Sequence, residues 1–472
     1  MKKLLFLLVS IILFSCQENT QKEQVIKKLP PITNAVLETA VIYEANIRQY
    51  SVAGTFDEFT KDIPQLKKLG VKIIWMMPIF PISETKRKAT GGDFASLIKD
   101  PSARKKALGS YYAVSDFTKV NPEFGNIEDF RKLLKTAHNN GIYVILDWVP
   151  NHTGWDHSWL KTNPEFYTKN DKGEITDPLN QDGISVGWAD VADLNYDSKG
   201  LRTAMIDDML YWLTKENIDG FRCDVAGSVP VDFWQEAISK LRASKDIFML
   251  AEAWEPELLQ EGLFEMAYGW DTHHKMNNIA QGKATVKDWD ERMTQIDEMY
   301  QKDDIMMNFI TNHDENSWNG SVKERMGDAS EAILALSYAA PGMPLIYSGQ
   351  EYDLDKRLLF FEKDTITKTK GKVWPLLEKL GALKTNNKAF NGGKKAASYL
   401  RLETSNNETI LAFEREKEGE KFIYIANLSA KPVIFKPTFS GEFKDALTGA
   451  KIILKSGEEI SFDSWEYHVL IK

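Results

Sequence analysis

Four short segments hold residues suited to nucleophilic and acid–base chemistry. They are Asp147-Trp148-Val149-Pro150-Asn151-His152, Gly220-Phe221-Arg222-Cys223-Asp224, Glu252-Ala253-Trp254-Glu255 and Asn312-His313-Asp314. Each lies at the end of an apolar run of the length of one buried strand. Brought to one open face, they suit cleavage of a glycosidic bond. A retaining glycosidase needs two carboxyls about 5–5.5 Å apart, one to attack the anomeric carbon and one to protonate the leaving oxygen. Asp224 and Glu252 end consecutive runs, and neighbouring strands lie about 4.8 Å apart. Arg222 precedes Asp224 by two residues, so both side chains leave the strand on one side. A guanidinium there favours an ionised Asp224, the expected nucleophile. Glu252 sits between Ala251 and Ala253, beside Trp254. An apolar wall would raise its pKa and suit it to general acid, then base. Asp314 is the expected third carboxylate, stabilising positive charge in the transition state. His152 and His313 are candidate ligands of sugar hydroxyls, and Trp254 a candidate sugar platform. One buried acid reads equally well as half of an ion pair. Three at separate strand ends, with an arginine and two histidines, do not.

The elements that must position these residues are legible as a pattern. Apolar runs occur at Ala40–Ile47, Lys72–Pro78, Tyr143–Val149, Gly220–Val225, Phe248–Ala253, Glu265–Trp270, Met306–Thr311 and Pro344–Ser348. Their near-continuous hydrophobicity suits strands buried on both faces. Helical stripes lie between them: Phe59, Ile63, Leu66 and Leu69; Ile127, Phe130, Leu133, Leu134 and Ala137; Met205, Met209, Trp212 and Leu213. Eightfold strand–helix alternation predicts a (β/α)8 TIM barrel. The rival, a doubly wound open sheet, lacks a Gly-rich phosphate loop. The barrel is expected over 37–149 and 200–388. Residues 150–199 are too long a connection to be structureless and predict an inserted domain (a B domain) after the third strand. Its Trp155, Trp159 and Trp188 are open to either packing or sugar stacking. The second connection, Ile79 to Leu108, is also long and holds a basic Lys86-Arg87-Lys88 stretch and Gly91-Gly92. From 389 to 472, alternating β-rich segments between Gly and Asn turns predict an antiparallel β-sandwich.

Composition narrows the function. The 472 residues are 43% hydrophobic and 27% charged, with a net charge of −9. That is a globular balance without a basic surface for nucleic acid. Cys16 and Cys223 are the only cysteines, too few for a disulfide framework. Lys2 and Lys3, the apolar Leu4–Phe14 and Ser15-Cys16 read as an export signal over 1–16. Leu13-Phe14-Ser15-Cys16 resembles a bacterial lipobox, with Cys16 the lipidation site. An ordinary cleaved signal and an uncleaved anchor are the alternatives. Residues 17–36 read as a polar tether. The expected location is therefore outside the cytoplasm, on a membrane through the N-terminal lipid, either periplasmic or at the cell surface.

The four segments, in their order, resemble the signature regions of the α-amylase family, the family 13 glycoside hydrolases. Val191-Ala192-Asp193-Leu194-Asn195 resembles the auxiliary region of the inserted domain, and Gly349-Gln350-Glu351 also fits. The resemblance runs from about residue 38 to the end. It implies nucleophile Asp224, acid/base Glu252 and stabiliser Asp314. Arg222, His152 and His313 would line the subsite of the cleaved glucose, and Tyr112 would stack on that ring. Asp147 would orient Arg222. Asn151 matches a family calcium ligand, so a structural calcium is expected there or, equally, a turn-stabilising role. No cofactor is implied for the chemistry. Val225-Ala226-Gly227-Ser228 departs from the Lys-His of many α-amylases, and Leu108-Gly109-Ser110-Tyr111 lacks the acid that precedes the stacking tyrosine in exo-acting relatives. The expected activity is retaining hydrolysis of starch-derived α-glucans or maltooligosaccharides. A glucanotransferase or trehalose-forming isomerase is the alternative within the family. An inactive glycan-binding surface lipoprotein is the alternative outside catalysis.

Overall fold

Eight strands with inward and outward columns of side chains organise the chain. The structure is a computed structural model that describes residues 29–180 and 182–472. The signal segment, Cys16 and the first part of the tether lie outside the described residues. The strands are β1 (Val41–Ala45), β2 (Val71–Met76), β3 (Tyr143–Trp148), β4 (Gly220–Cys223), β5 (Phe248–Ala251), β6 (Met266–Tyr268), β7 (Ile305–Asn308) and β8 (Met343–Tyr347). They pair in parallel in sequence order, and β8 closes on β1. The eight apolar runs thus became a TIM barrel.

Side chains alternate across each strand. Ile42, Ile73, Trp75, Tyr143, Ile145, Phe248, Leu250, Met266, Tyr268, Ile305, Met307 and Leu345 share the barrel interior. Val41, Tyr43, Ile74, Val144 and Leu146 belong to the larger core under the helices. Two residues beyond the last inward apolar side chain, the same column turns polar. Ile42 leads to Glu44, Ile145 to Asp147, and Leu250 to Glu252. The chemistry therefore sits on the open end of an apolar plug. Leu29, Ile32 and Val36 pack against the opposite end of that plug. The stretch read as a tether is thus already docked from Leu29 onward.

The strands lie close where the site needs it. Gly220 has φ 149°, and a Cβ there would fall 1.9 Å from the Phe248 carbonyl oxygen. Only glycine lets β4 begin against β5 at this approach. One expected helix differs. The Phe59–Leu69 stripe forms as the short helices Phe56–Thr60 and Ile63–Leu66 and a 3-10 turn at Lys67–Leu69. Pro64 in the first turn restarts the helix after a break near Asp62. The other two stripes lie on helices Ile127–Asn139 and Lys199–Thr214.

Within the insertion, His152–Gly154 pairs antiparallel with Val191–Asp193, so the segment leaves and rejoins the barrel at one ladder. The C-terminal region is a six-stranded antiparallel sheet with a two-stranded ribbon, Val433–Phe435 and Ile460–Phe462. Period two divides its strands again. Phe413, Phe422 and Tyr424 join the barrel core. Ile410, Ala412, Ile423 and Ile425 pack with Phe435 and Phe462 of the ribbon. Arg415 locks the two bodies together: fully buried, it donates to the carbonyls of Ala339, Ala340, Asn391 and Ala397.

Candidate active site

The buried Arg222 is the centre of the site. Its Nη1 donates to Asp147 Oδ1 at 2.7 Å and to Asp224 Oδ1 at 2.9 Å. Its Nη2 lies 2.9 Å from Glu252 Oε2, an ion-pair contact without hydrogen-bond alignment. One guanidinium therefore touches both carboxyls of the expected pair. Their backbones continue the parallel ladder. Asp224 N donates to Trp148 O at 2.8 Å, and Glu252 N to Cys223 O at 3.0 Å. Both carboxyls thus meet one guanidinium at the ends of neighbouring strands, as the short retaining spacing requires.

Val225 holds the same Glu252 oxygen that Arg222 touches. It holds a left-handed φ of 46°, rare for a β-branched residue. In that conformation its N–H donates to Glu252 Oε2 at 2.9 Å. This corrects the expected environment of Glu252. Burial alone would raise its pKa, but Arg222 and the Val225 N–H outweigh burial and lower it. Asp224 is raised, first by burial and then by Glu252. The two carboxyls titrate as a pair.

Asp147 stands behind the arginine, fully buried and bound by Trp75 Nε1 at 3.0 Å. Burial raises its pKa to about 6 against the pull of Arg222. It orients Arg222 and has no route to a substrate. Tyr112 O–H donates to Asp147 Oδ2 at 3.1 Å and accepts from His313 Nε2 at 2.7 Å. His313 Nδ1 donates to Glu44 Oε1 at 2.5 Å, and Asp314 Oδ2 is 3.4 Å from Nε2. Burial opposes charge on His313, yet Asp314 and Glu44 raise it to about 9. His313 is an imidazolium at neutral pH, donating from both nitrogens. His152 is the opposite case: burial lowers it to about 3, leaving it neutral.

These groups open into a cavity of about 290 Å3. Asp224, Glu252, Asp314, Tyr112, His152 and His313 line it. One wall comes from the insertion, with Trp188 and Asp190, joined by Lys88. The other holds Trp318, Phe360 and Phe361. Tyr112 and Phe360 stack at an interplanar angle of 7°.

Three expectations need correction or addition. Trp254 does not line the cavity; its ring is 55% exposed, because the chain turns outward after the buried Ala253. Trp188 takes the place on the wall instead. At Asn151 the amide Nδ2 donates to His152 Nδ1 at 3.2 Å, a contact that fits the turn-stabilising role. Among the described residues, no three His, Cys, Asp or Glu come together as metal ligands. Glu44 was missed. An acid inside the largely apolar Ala40–Ile47 run was the available signal.

Fold and site together define a carbohydrate-active barrel with a carboxylate pair bridged by arginine. The family model described as alpha amylase, catalytic domain, matches residues 19–373. The chain belongs to the α-amylase family, whose members act with retention. Alpha-amylase 3 of Dictyoglomus thermophilum is 24% identical over 478 residues, covering 86% of this chain and 88% of that one. A 4-alpha-glucanotransferase of Thermotoga neapolitana is 27% identical over 352 residues, 66% of this chain and 70% of its own. The chain spans only 44% of the alpha-amylase MalA of Haloarcula japonica, at 24% identity over 67% of its own length. The crystal structure of the maltogenic alpha-amylase AmyB of Thermotoga neapolitana superposes with a TM-score of 0.80 at 26% identity. That match covers 93% of this chain and 99% of that one. An alpha-amylase from Lactobacillus plantarum gives 0.79 at 28% identity, with coverage of 93% and 99%.

Proposed function

We propose that the chain hydrolyses starch-derived α-glucans or maltooligosaccharides through a covalent glycosyl-Asp224 intermediate. The observation that carries this reading is Arg222 contacting both Asp224 and Glu252 on adjacent strand ends. Asp224 attacks the anomeric carbon as the glycosidic C–O bond breaks. Glu252 gives its proton to the leaving oxygen. Glu252 then takes a proton from water, the water oxygen bonds to the anomeric carbon, and the Asp224 ester bond breaks. Asp314 faces the developing positive charge. Tyr112 presents its ring, and His152 and His313 reach the hydroxyls of the retained glucose.

Product identification with amylose, pullulan, isomaltose and cyclodextrin tests the substrate class, with proton NMR reading the anomer released. Products longer than a maltoheptaose substrate would instead mean transfer. Export and lipid anchoring through Cys16 are part of the proposal, supported by the Lys2-Lys3 start and the short apolar run. Fatty-acid labelling that persists in Cys16→Ala would overturn the anchor.

A further inference from the structure

The basic Lys86-Arg87-Lys88 stretch does no chemistry in the mechanism above, yet it is tied down at every residue. Lys86 Nζ sits 3.4 Å above the Trp155 ring of the insertion. Arg87 donates to Ser83 O at 2.9 Å and Ile82 O at 3.1 Å, and its stem lies where a Cβ on Gly109 would fall. Lys88 Nζ reaches across to Asp190 Oδ1 and Gly187 O, each at 3.1 Å. The Lys88–Asp190 pair is largely buried, with side chains 17% and 7% exposed, and both residues line the cavity. Residues beyond Lys88 turn back at Gly91 and Gly92, and Lys88 bridges to Phe94.

The other end of this connection is fixed to the opposite wall. Leu108 N donates to Phe361 O at 2.7 Å. Arg48 Nη1 donates to Gly109 O at 3.0 Å and Phe360 O at 3.3 Å. The segment from Ile82 to Ser110 therefore runs from the insertion wall to the Phe360–Phe361 wall. It leads into Tyr112, the ring assigned above to the retained glucose. Trp188 and His152, at 5.7 Å between ring centroids, mark the same side.

We infer that the Lys88–Asp190 pair closes the cleft beyond the retained sugar and binds the hydroxyls of a non-reducing chain end, so that glucans enter end first. This rests on the α-glucan reading above. The cavity of about 290 Å3, at the small end of ligand pockets (roughly 300–1,000 Å3), suits a short terminal unit. An ammonium and a carboxylate held together offer donor and acceptor to vicinal hydroxyls without leaving either charge unpaired. A chain continuing past the retained sugar would have to break the bridge and leave both buried charges alone.

The test uses two maltoheptaosides with a chromophore at the reducing end, one free and one acetal-blocked at the non-reducing end. The wild type should cleave the blocked substrate at least tenfold more slowly. Lys88→Met and Asp190→Asn, each checked by thermal melting, should shrink that ratio to threefold or less by gaining rate on the blocked substrate. Equal cleavage of both substrates by the wild type overturns the inference. So does a ratio that survives in both folded variants. Failure of the wild type to cleave either substrate would instead overturn the α-glucan reading itself.

Discussion

Glu44→Gln isolates a charge that never touches substrate. An ordinary imidazole titrates at 6.5, and His313 does so at about 9. At about 1.4 kcal/mol per pH unit, that is on the order of 3 kcal/mol in favour of the imidazolium. Burial works against it; Asp314 and then Glu44 supply it, the latter by charge and by its 2.5 Å hydrogen bond. Glutamine keeps the shape and a carbonyl acceptor but removes the charge. The His313 midpoint should fall by about one pH unit or more. The sign is fixed by the direction of the shift. Stability from a raised imidazole is full below pH 6.5 and is lost as pH rises through about 9; in the variant that contribution should be smaller and its loss complete at lower pH. Because His313 donates to Tyr112 and faces Asp314, kcat/KM should fall roughly tenfold above pH 8, as expected for a weakened charged hydrogen bond. Histidine-selective NMR reads the midpoint directly among seven histidines. A midpoint unchanged in a folded Glu44→Gln protein would refute the reasoning.

Other expectations follow from the same geometry. Glu252→Gln removes the proton donor and should cost about 10²–10⁴-fold in turnover on a natural glucan, read by initial rates. Tyr112→Phe deletes the hydroxyl between His313 and Asp147 and should cost about 10–100-fold in kcat/KM. Trp188→Ala should raise KM severalfold, whereas Trp254→Ala, outside the cavity, should leave it within about twofold by steady-state kinetics. Arg415→Ala strands four buried carbonyls between barrel and C-terminal sheet, at ~1–3 kcal/mol for each unsatisfied group. Thermal unfolding should show a marked loss of stability, with kcat of the folded fraction unchanged.

Much of the fold was legible because doubly buried strands write themselves as apolar runs. The polar residue two steps past each inward apolar one was legible for the same reason: period two carries both to one face. Asp147, Arg222, Asp224 and Glu252 were readable in this way. What was not readable depends on contacts across the fold. The lowered pKa of Glu252 turns on the second arm of Arg222 and on a left-handed Val225, neither visible in spacing. Trp254 and Trp188 differ only in which way a loop turns. Glu44 has no marker in spacing, because its partner His313 lies on another strand end. Lys88 and Asp190 meet across two irregular connections, where no periodicity marks a partner.

The most direct test of the central claim is covalent trapping. A fluorinated glucosyl fluoride that slows breakdown of the intermediate should be incubated with the enzyme, followed by peptide mass spectrometry. The account predicts one added glycosyl group on the peptide containing Asp224, absent in Asp224→Ala. An adduct on Glu252 or Asp314, or turnover with inversion and no adduct, would contradict it.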